Sequence, residues 1–350
     1  MNGERSIRHH LKQRLALEGC RLAFRAADAR EFTVWKNDLR GRISDFLGLT
    51  HMRRPTCHSV SGNMQDCGMY TQTEMELETE PGISMPLLVL KPKSAQGRCP
   101  AVVALHGHVS GGKLAVAGIR DIPKVSSTID KYNYDYGRQF VREGFIVFCP
   151  DARGFGERRE DPSGTDILGC SCTLINKIAI PLGQTVAGMW VWDIMRLVDY
   201  IVTREDCDPD RIACAGLSGG GLQTLYSSAL DERIRCAVIS GYFYGVAEAH
   251  IDVENCSCNY IPHMWEYADM GDVGALIAPR PLLIETGDRD EENGSSGLAN
   301  VLRQVETTRQ AYRLLGAEHL LFHDVFSGPH KWHGKHAVPW VKQHLGPVTS

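Results

Sequence analysis

No stretch of the 350 residues is apolar over the roughly 20 positions a helix needs to cross a bilayer, which excludes a helical membrane span. The chain also lacks a surplus of either charge: 38 Lys and Arg stand against 42 Asp and Glu, for a formal net charge of −4, with no long run of one sign. That balance excludes the basic footprint of a nucleic-acid or anionic-membrane binder, so the expected partners are small molecules, with no nucleic acid and no membrane. Residues 1–20 mix charges with apolar residues at helical spacing and contain no apolar core of an export signal, so a cytoplasmic location is expected. Internal repeats and low-complexity tracts are missing, and the 16 prolines and 35 glycines are spread along the chain without marking a linker. One large domain with additions is the expected organisation.

Cysteine is not scarce, at 12 residues, but Cys149, Cys214 and Cys236 lie inside apolar runs where thiols act as small hydrophobes. The pairs Cys170/Cys172 and Cys256/Cys258 could together offer four thiolates to a metal. Their one-residue spacing departs from the two to four residues usual between paired zinc ligands, so free thiols, no metal and no cofactor are expected. A metal-dependent hydrolase using these cysteines or the C-terminal histidines is the corresponding alternative.

Residues 1–57 read as an N-terminal helical extension, with Gly48 as a helix end. Residues 58–350 read as one α/β domain. The alternation around Glu80-Pro81-Gly82 within 58–92 suggests a β-hairpin. Beyond residue 100, continuous apolar runs at 101–105, 145–149, 211–215, 236–240, 281–285 and 320–326 alternate with helix-length segments at 133–143, 185–204, 219–230, 298–315 and 336–345. Continuous rather than alternating strands imply a mostly parallel sheet covered by helices on both faces. The excursions at about 156–184 and 243–275 break the rhythm and follow strands, where α/β proteins build their binding face. Trp190, Trp192, Met189 and Met195 have the spacing of a core-facing helix stripe.

Gly216-Leu217-Ser218-Gly219-Gly220 satisfies G-x-S-x-G between a strand and a helix, where a sharp turn needs glycines around an exposed hydroxyl. A serine nucleophile needs a histidine base oriented by an acid, in the chain order Ser, Asp or Glu, His. Asp290 at the end of the 281–285 strand is the first choice of acid, with Asp288 second. His330, in the loop after the last strand, is preferred as base over His333, which is expected at the start of the final helix. The backbone N–H groups of Gly219 and His108 are the expected oxyanion donors, the latter from the glycine-loosened loop 104–112. His106 is read as tying down that loop, Arg153 as paired with Asp151 or Asp161, Glu291 and Glu292 as surface charges, and His336 and His344 as packing or surface residues.

The segments 105–113 (LHGHVSGGK), 150–158 (PDARGFGER), 216–221 (GLSGGG), 268–290 and 328–334 (GPHKWHG) resemble the α/β-hydrolase superfamily, in particular its dienelactone hydrolase-like and acetylxylan esterase or cephalosporin deacetylase branch. The resemblance spans about 85–346. It implies the α/β-hydrolase fold, a Ser218–Asp290–His330 triad with donors from His108 and Gly219, and a serine esterase acting on a small-molecule ester. The chain departs from the carbohydrate-deacetylase pattern, with Gly219 and Phe155 where that pattern has glutamine. Lactone, amide or carbon–carbon hydrolysis on the same triad, or a binding protein that has lost turnover, are the alternatives. The N-terminal helices are candidates for a homo-oligomer interface.

Overall fold

The apolar runs pair into one nine-stranded sheet in the computed structural model, which describes residues 6–56, 58–160 and 166–346. In chain order the strands are β1 (Ser59–Asp66), β2 (Tyr70–Glu80), β3 (Ile83–Pro92), β4 (Cys99–Leu105), β5 (Ile146–Pro150), β6 (Cys207–Leu217), β7 (Ile234–Ser240), β8 (Leu282–Gly287) and β9 (Leu321–Phe326). Across the sheet they run β1-β2-β3-β5-β4-β6-β7-β8-β9. The pairings from β5 through β9 are parallel, whereas β1, β2, β3 and β5 pair antiparallel. The expected hairpin is β2–β3. The strand β1 beside it was not anticipated, because all eight of its residues are exposed at the sheet edge and carry no burial signal.

Every residue of β4 is buried, and its side chains alternate between two clusters. Val102 and Ala104 pack with Tyr136, Phe140, Trp332 and Val341 on one face, whereas Ala101 and Val103 pack with Ile194 and Leu197 on the other. Helices therefore cover both faces, as the continuous apolar strands demand. The principal helices are Tyr136–Arg142, Val186–Ile201, Gly219–Leu230, Leu298–Leu314 and Ala337–Leu345. Trp190 is buried with its indole N–H donating to the Arg153 carbonyl at 2.9 Å, and Trp192 donates to the Thr79 carbonyl at 2.8 Å. The stripe thus faces the core, and each polar indole edge is satisfied. His333 does not begin the final helix, which starts four residues later at Ala337; Gly334 at φ 72° holds the intervening chain out of helical geometry.

Within the N-terminal extension, the helix Ile7–Glu18 buries no residue, but Ala29–Leu47 is different. The Asp28 side chain caps it by accepting from the Arg30 and Glu31 amides, both at 2.8 Å. Its Phe32, Leu39, Ile43 and Leu47 recur at helical spacing and join the cluster of Val186, Trp190 and Leu225. The approach is close: a Cβ on Gly188 would lie 1.9 Å from the Leu47 carbonyl oxygen. This helix is a layer of the main core. Among the described residues, no helix is long and apolar enough to cross a membrane.

Leu39→Ala is expected to destabilise the whole chain by about 2–5 kcal/mol, the usual cost of an unfilled leucine cavity. Leu17→Ala, at a position 87% exposed, should change stability by no more than about 0.5 kcal/mol. Denaturant midpoints for the two variants check this; equal, small effects would mean that the helix is not part of the cooperative core.

Candidate active site

β6 delivers the chain to Ser218 and the helix Gly219–Leu230 leaves it, so the serine sits on the strand-to-helix turn. Its backbone is at φ 59°, ψ −120°, a region L-residues rarely occupy, and is fixed there by two bonds. The Ser218 amide donates to the Ser240 carbonyl, and the Ser218 carbonyl accepts from the Leu222 amide, each at 2.9 Å. The flanking glycines have a steric cause. A Cβ on Gly220 would lie 1.9 Å from the Leu105 carbonyl oxygen, and one on Gly216 would lie 2.4 Å from the Gly220 carbonyl. The side chain of Ser218 is half-buried at the C-terminal edge of the sheet.

Asp290 and His330 come from the loops after β8 and β9, and His330 Nδ1 lies 2.7 Å from Asp290 Oδ2. The carboxylate is buried and aimed, since its other oxygen accepts from the Glu292 amide at 2.9 Å. A Cβ on Gly241 would meet the His330 ring at 2.9 Å and the Leu217 side chain at 3.1 Å, so the imidazole and the side chain preceding Ser218 both close on this glycine. Burial opposes protonation of His330, but the hydrogen bond and charge of Asp290 outweigh it and hold the pKa above the ordinary imidazole value. A cleft of about 340 Å³ opens there, lined by Tyr132, Pro329 and His330 and by the charged groups Lys131, Arg289, Asp290, Glu291 and Glu292.

The second-choice residues are engaged elsewhere. Asp288 accepts from the Gly328 amide at 2.9 Å, tying the β8 turn to the histidine loop, and His333 Nδ1 pairs with Asp324 at 2.7 Å. His336 lies edge-on to Phe322 and His344 packs on Trp340. His106 accepts from the Ala152 amide at 3.0 Å, joining the loops after β4 and β5. The backbone of His108 is held by Tyr134, whose hydroxyl donates to the His108 carbonyl at 2.9 Å. His108 borders the Ser218 turn: a Cβ on Gly219 would stand 3.3 Å from its Nδ1.

The expected partners of Arg153 need correction. Asp151 is already occupied by Lys113, at 2.6 Å, and Asp161 lies outside the described residues. Arg153 instead makes a two-pronged contact with Asp193, at 2.7 and 3.0 Å, and reaches Glu80 at 2.7 Å. A pair of planar groups facing each other in this way accounts for the choice. Burial would raise the Asp193 pKa, but the two guanidinium groups of Arg153 and Arg158 bring it down to about 2.

One residue had not been singled out, and the cysteine pairs come together in another combination than the sequence suggested. Glu285 on β8 is buried beneath the histidine loop and accepts from the Gly334 and His333 amides at 2.8 and 3.3 Å. The structure also brings His108, Cys172, Cys256 and Cys258 within 4.8 Å of one another at their donor atoms, although the sequence keeps them up to 150 positions apart.

With this geometry in hand, comparison with known proteins places the chain. A model of the Abhydrolase family matches residues 6–307, and the chain belongs to that family. Its architecture is that of the α/β-hydrolases. It is 28% identical over 229 residues, 63% of this chain and 70% of the other, to a Bacillus subtilis protein provisionally named hydrolase YtaP. Among solved structures, a Bacteroides fragilis protein provisionally described as an acetyl xylan esterase superposes with a TM-score of 0.77 at 21% identity, covering 93% of this chain and 82% of that one. A glucuronoyl esterase from Solibacter usitatus gives 0.70 at 15% identity, covering 94% and 97%. At these identities the two structures speak for the fold.

Burial raises the Glu285 pKa to about 7, from 4.5 when unfolded, against the lowering effect of the amides it accepts from. The folded state therefore holds this proton more tightly, and the stability it contributes falls as pH rises from about 4.5 to about 7. Glu285→Gln, which mimics the protonated acid, should remove that slope. Melting temperature against pH for both proteins tests this: the curves are expected to diverge above pH 5, and parallel curves would refute the assignment.

Proposed function

We propose that the protein is a serine carboxylic ester hydrolase in which Ser218 is the nucleophile, His330 the general base and Asp290 the acid that orients it. The observation carrying this reading is the 2.7 Å contact between His330 Nδ1 and Asp290 beside a serine held at φ 59° on a strand-to-helix turn. With the Nδ1–H donated to Asp290, Nε2 of the neutral ring is free to accept the serine proton. Attack on an ester carbonyl puts negative charge on its oxygen. The backbone N–H groups of Gly219, at the positive end of the helix Gly219–Leu230, and of His108 are the donors assigned to that oxyanion. His330 then protonates the leaving alcohol, and water activated by the same ring releases the acid.

The substrate class assigned is a small-molecule ester, including esters borne by carbohydrates. Support comes from the cleft that opens beside His330 and from the acetyl xylan and glucuronoyl esters named for the structural neighbours. A cytoplasmic, reducing setting belongs to the same proposal, supported by Cys149, Cys214 and Cys236 buried in strands as small hydrophobes.

Wild type and Ser218→Ala are to be compared on p-nitrophenyl esters from acetate to octanoate, with circular dichroism as the folding control. The variant is expected to lose about 10³–10⁶-fold in kcat while remaining folded; equal turnover by both would remove Ser218 from the mechanism.

The pH profile gives a second test. His330 must be neutral to act and its pKa is raised, so kcat/KM should climb with pH through a limb centred above 6.5. Asp290→Asn should shift that limb to lower pH and lower kcat, and a limb unmoved by this substitution would contradict the pairing.

A further inference from the structure

Three thiols and an imidazole converge next to the nucleophile turn from three separate segments. Cys172 opens the helix Cys172–Ala179, Cys256 and Cys258 flank Ser257 at a short 3-10 turn, and His108 lies in the loop that follows β4. The first two segments are the irregular excursions that break the β-α rhythm. Cys172 Sγ lies 3.3 Å from Cys256 Sγ, and His108 Nε2 lies 3.6 Å from Cys172 Sγ and 3.8 Å from Cys258 Sγ. A tetrahedral zinc ion with its normal bond lengths needs edges of about 3.6 Å between nitrogen and sulfur and about 3.8 Å between sulfurs. These three edges stand close to those figures, and all four donors lie within 4.8 Å of one another. We propose that His108, Cys172, Cys256 and Cys258 form a zinc site with four protein ligands.

The donor set and its surroundings fit this ion. Soft thiolates with one imidazole select zinc over magnesium or calcium, which take oxygen. Cys172 and Cys258 are buried, and Cys172 opens its helix at the N-terminal end. Around them, Asn259 Nδ2 donates to Cys258 Sγ at 3.7 Å and is itself held by the Tyr242 hydroxyl, which donates to Asn259 Oδ1 at 2.8 Å. The Thr173 hydroxyl lies 3.6 Å from Cys256 Sγ. Such outer hydrogen bonds orient metal ligands and spread their charge. Binding forms three Zn–S bonds and one Zn–N bond, and the three thiol protons leave to solvent, so the loaded cluster carries one net negative charge. Cys170 is exposed, with its Sγ 3.5 Å from that of Cys172, and stays outside the ligand set.

Four protein ligands leave no open position for substrate, so the ion is a staple and not a Lewis acid for the ester. It joins both excursions to the loop carrying His108, whose ring borders Gly219. His108 is thereby a positioning residue: its ring is fixed by the metal, and its backbone N–H is set toward the oxyanion. That last consequence rests on the serine esterase reading; the metal site itself does not.

The full chain, purified in reductant without chelator and dialysed against metal-free buffer, should contain one zinc per chain by elemental analysis. Cobalt(II) added to the stripped protein should produce the intense thiolate-to-cobalt charge-transfer absorption of a tetrahedral site. Cys258→Ser, and separately the more exposed Cys256→Ser, should lose both signals, whereas Cys170→Ser should keep them. On the ester panel, metal removal should lower kcat with little change in KM, and zinc should restore it. Wild type that holds well under one equivalent and gives no cobalt absorption would overturn the site. So would a Cys172–Cys256 disulfide found by mass in the reductant-purified protein, or loss of metal in Cys170→Ser equal to that in Cys258→Ser. If zinc binds stoichiometrically but Ser218→Ala is as active as wild type, the site stands and the esterase reading fails.

Discussion

The Leu105 carbonyl oxygen occupies the space that any side chain at position 220 would need. This contact lets the first turn of the helix Gly219–Leu230 lie directly on the end of β4, and the rest of the site depends on it. It forces glycine at 220 and, through the Gly216–Gly220 approach, at 216 as well. Ser218 then has no ordinary backbone conformation available and is held at positive φ by its bonds to Ser240 and Leu222. The same closeness sets the loop after β4 against the turn, with His108 beside Gly219. Parallel strands on the other side of β6 bring the loops of Asp290 and His330 to the same edge of the sheet, as the crossover rule for such sheets requires.

A second constraint lies under the loops, where buried ions are matched with care. Lys113 meets Asp151, and Arg153 and Arg158 share Asp193 while Arg153 also reaches Glu80. Removing one member would strand a buried charge, so these pairs act as a scaffold rather than as a net source of stability. They lock the loop after β5 to β2, to the helix Val186–Ile201 and to the loop after β4. The proposed metal would extend that locking to the two excursions and so hold the loops around Ser218 in one arrangement.

Much of this was legible in the sequence where the cause is local. The G-x-S-x-G turn, the continuous apolar strands and the stripe of Trp190 and Trp192 each announce a constraint acting over a few residues. What was not legible depends on partners distant in the chain. The strand β1 has no buried residue to mark it, and its only cause is the open edge of β2. The match of Arg153 to Asp193 follows from a helix laid across the loop after β5, which no spacing encodes. Glu285 reads as one more residue of an apolar strand, and only the fold puts the Gly334 amide over it. The Cys-x-Cys pairs look unsuited to zinc when each is taken alone. One cysteine of the first pair, both of the second and a histidine from a third segment make the cluster, and that choice is made by tertiary structure.

The central claim is that Ser218 is an activated hydroxyl, and covalent labelling tests it most directly. Intact protein treated with a fluorophosphonate should gain one adduct, mapped by peptide mass spectrometry to Ser218, and His330→Ala should react far more slowly while remaining folded. Absence of any adduct, or an adduct on another residue with Ser218 unmodified, would contradict the account.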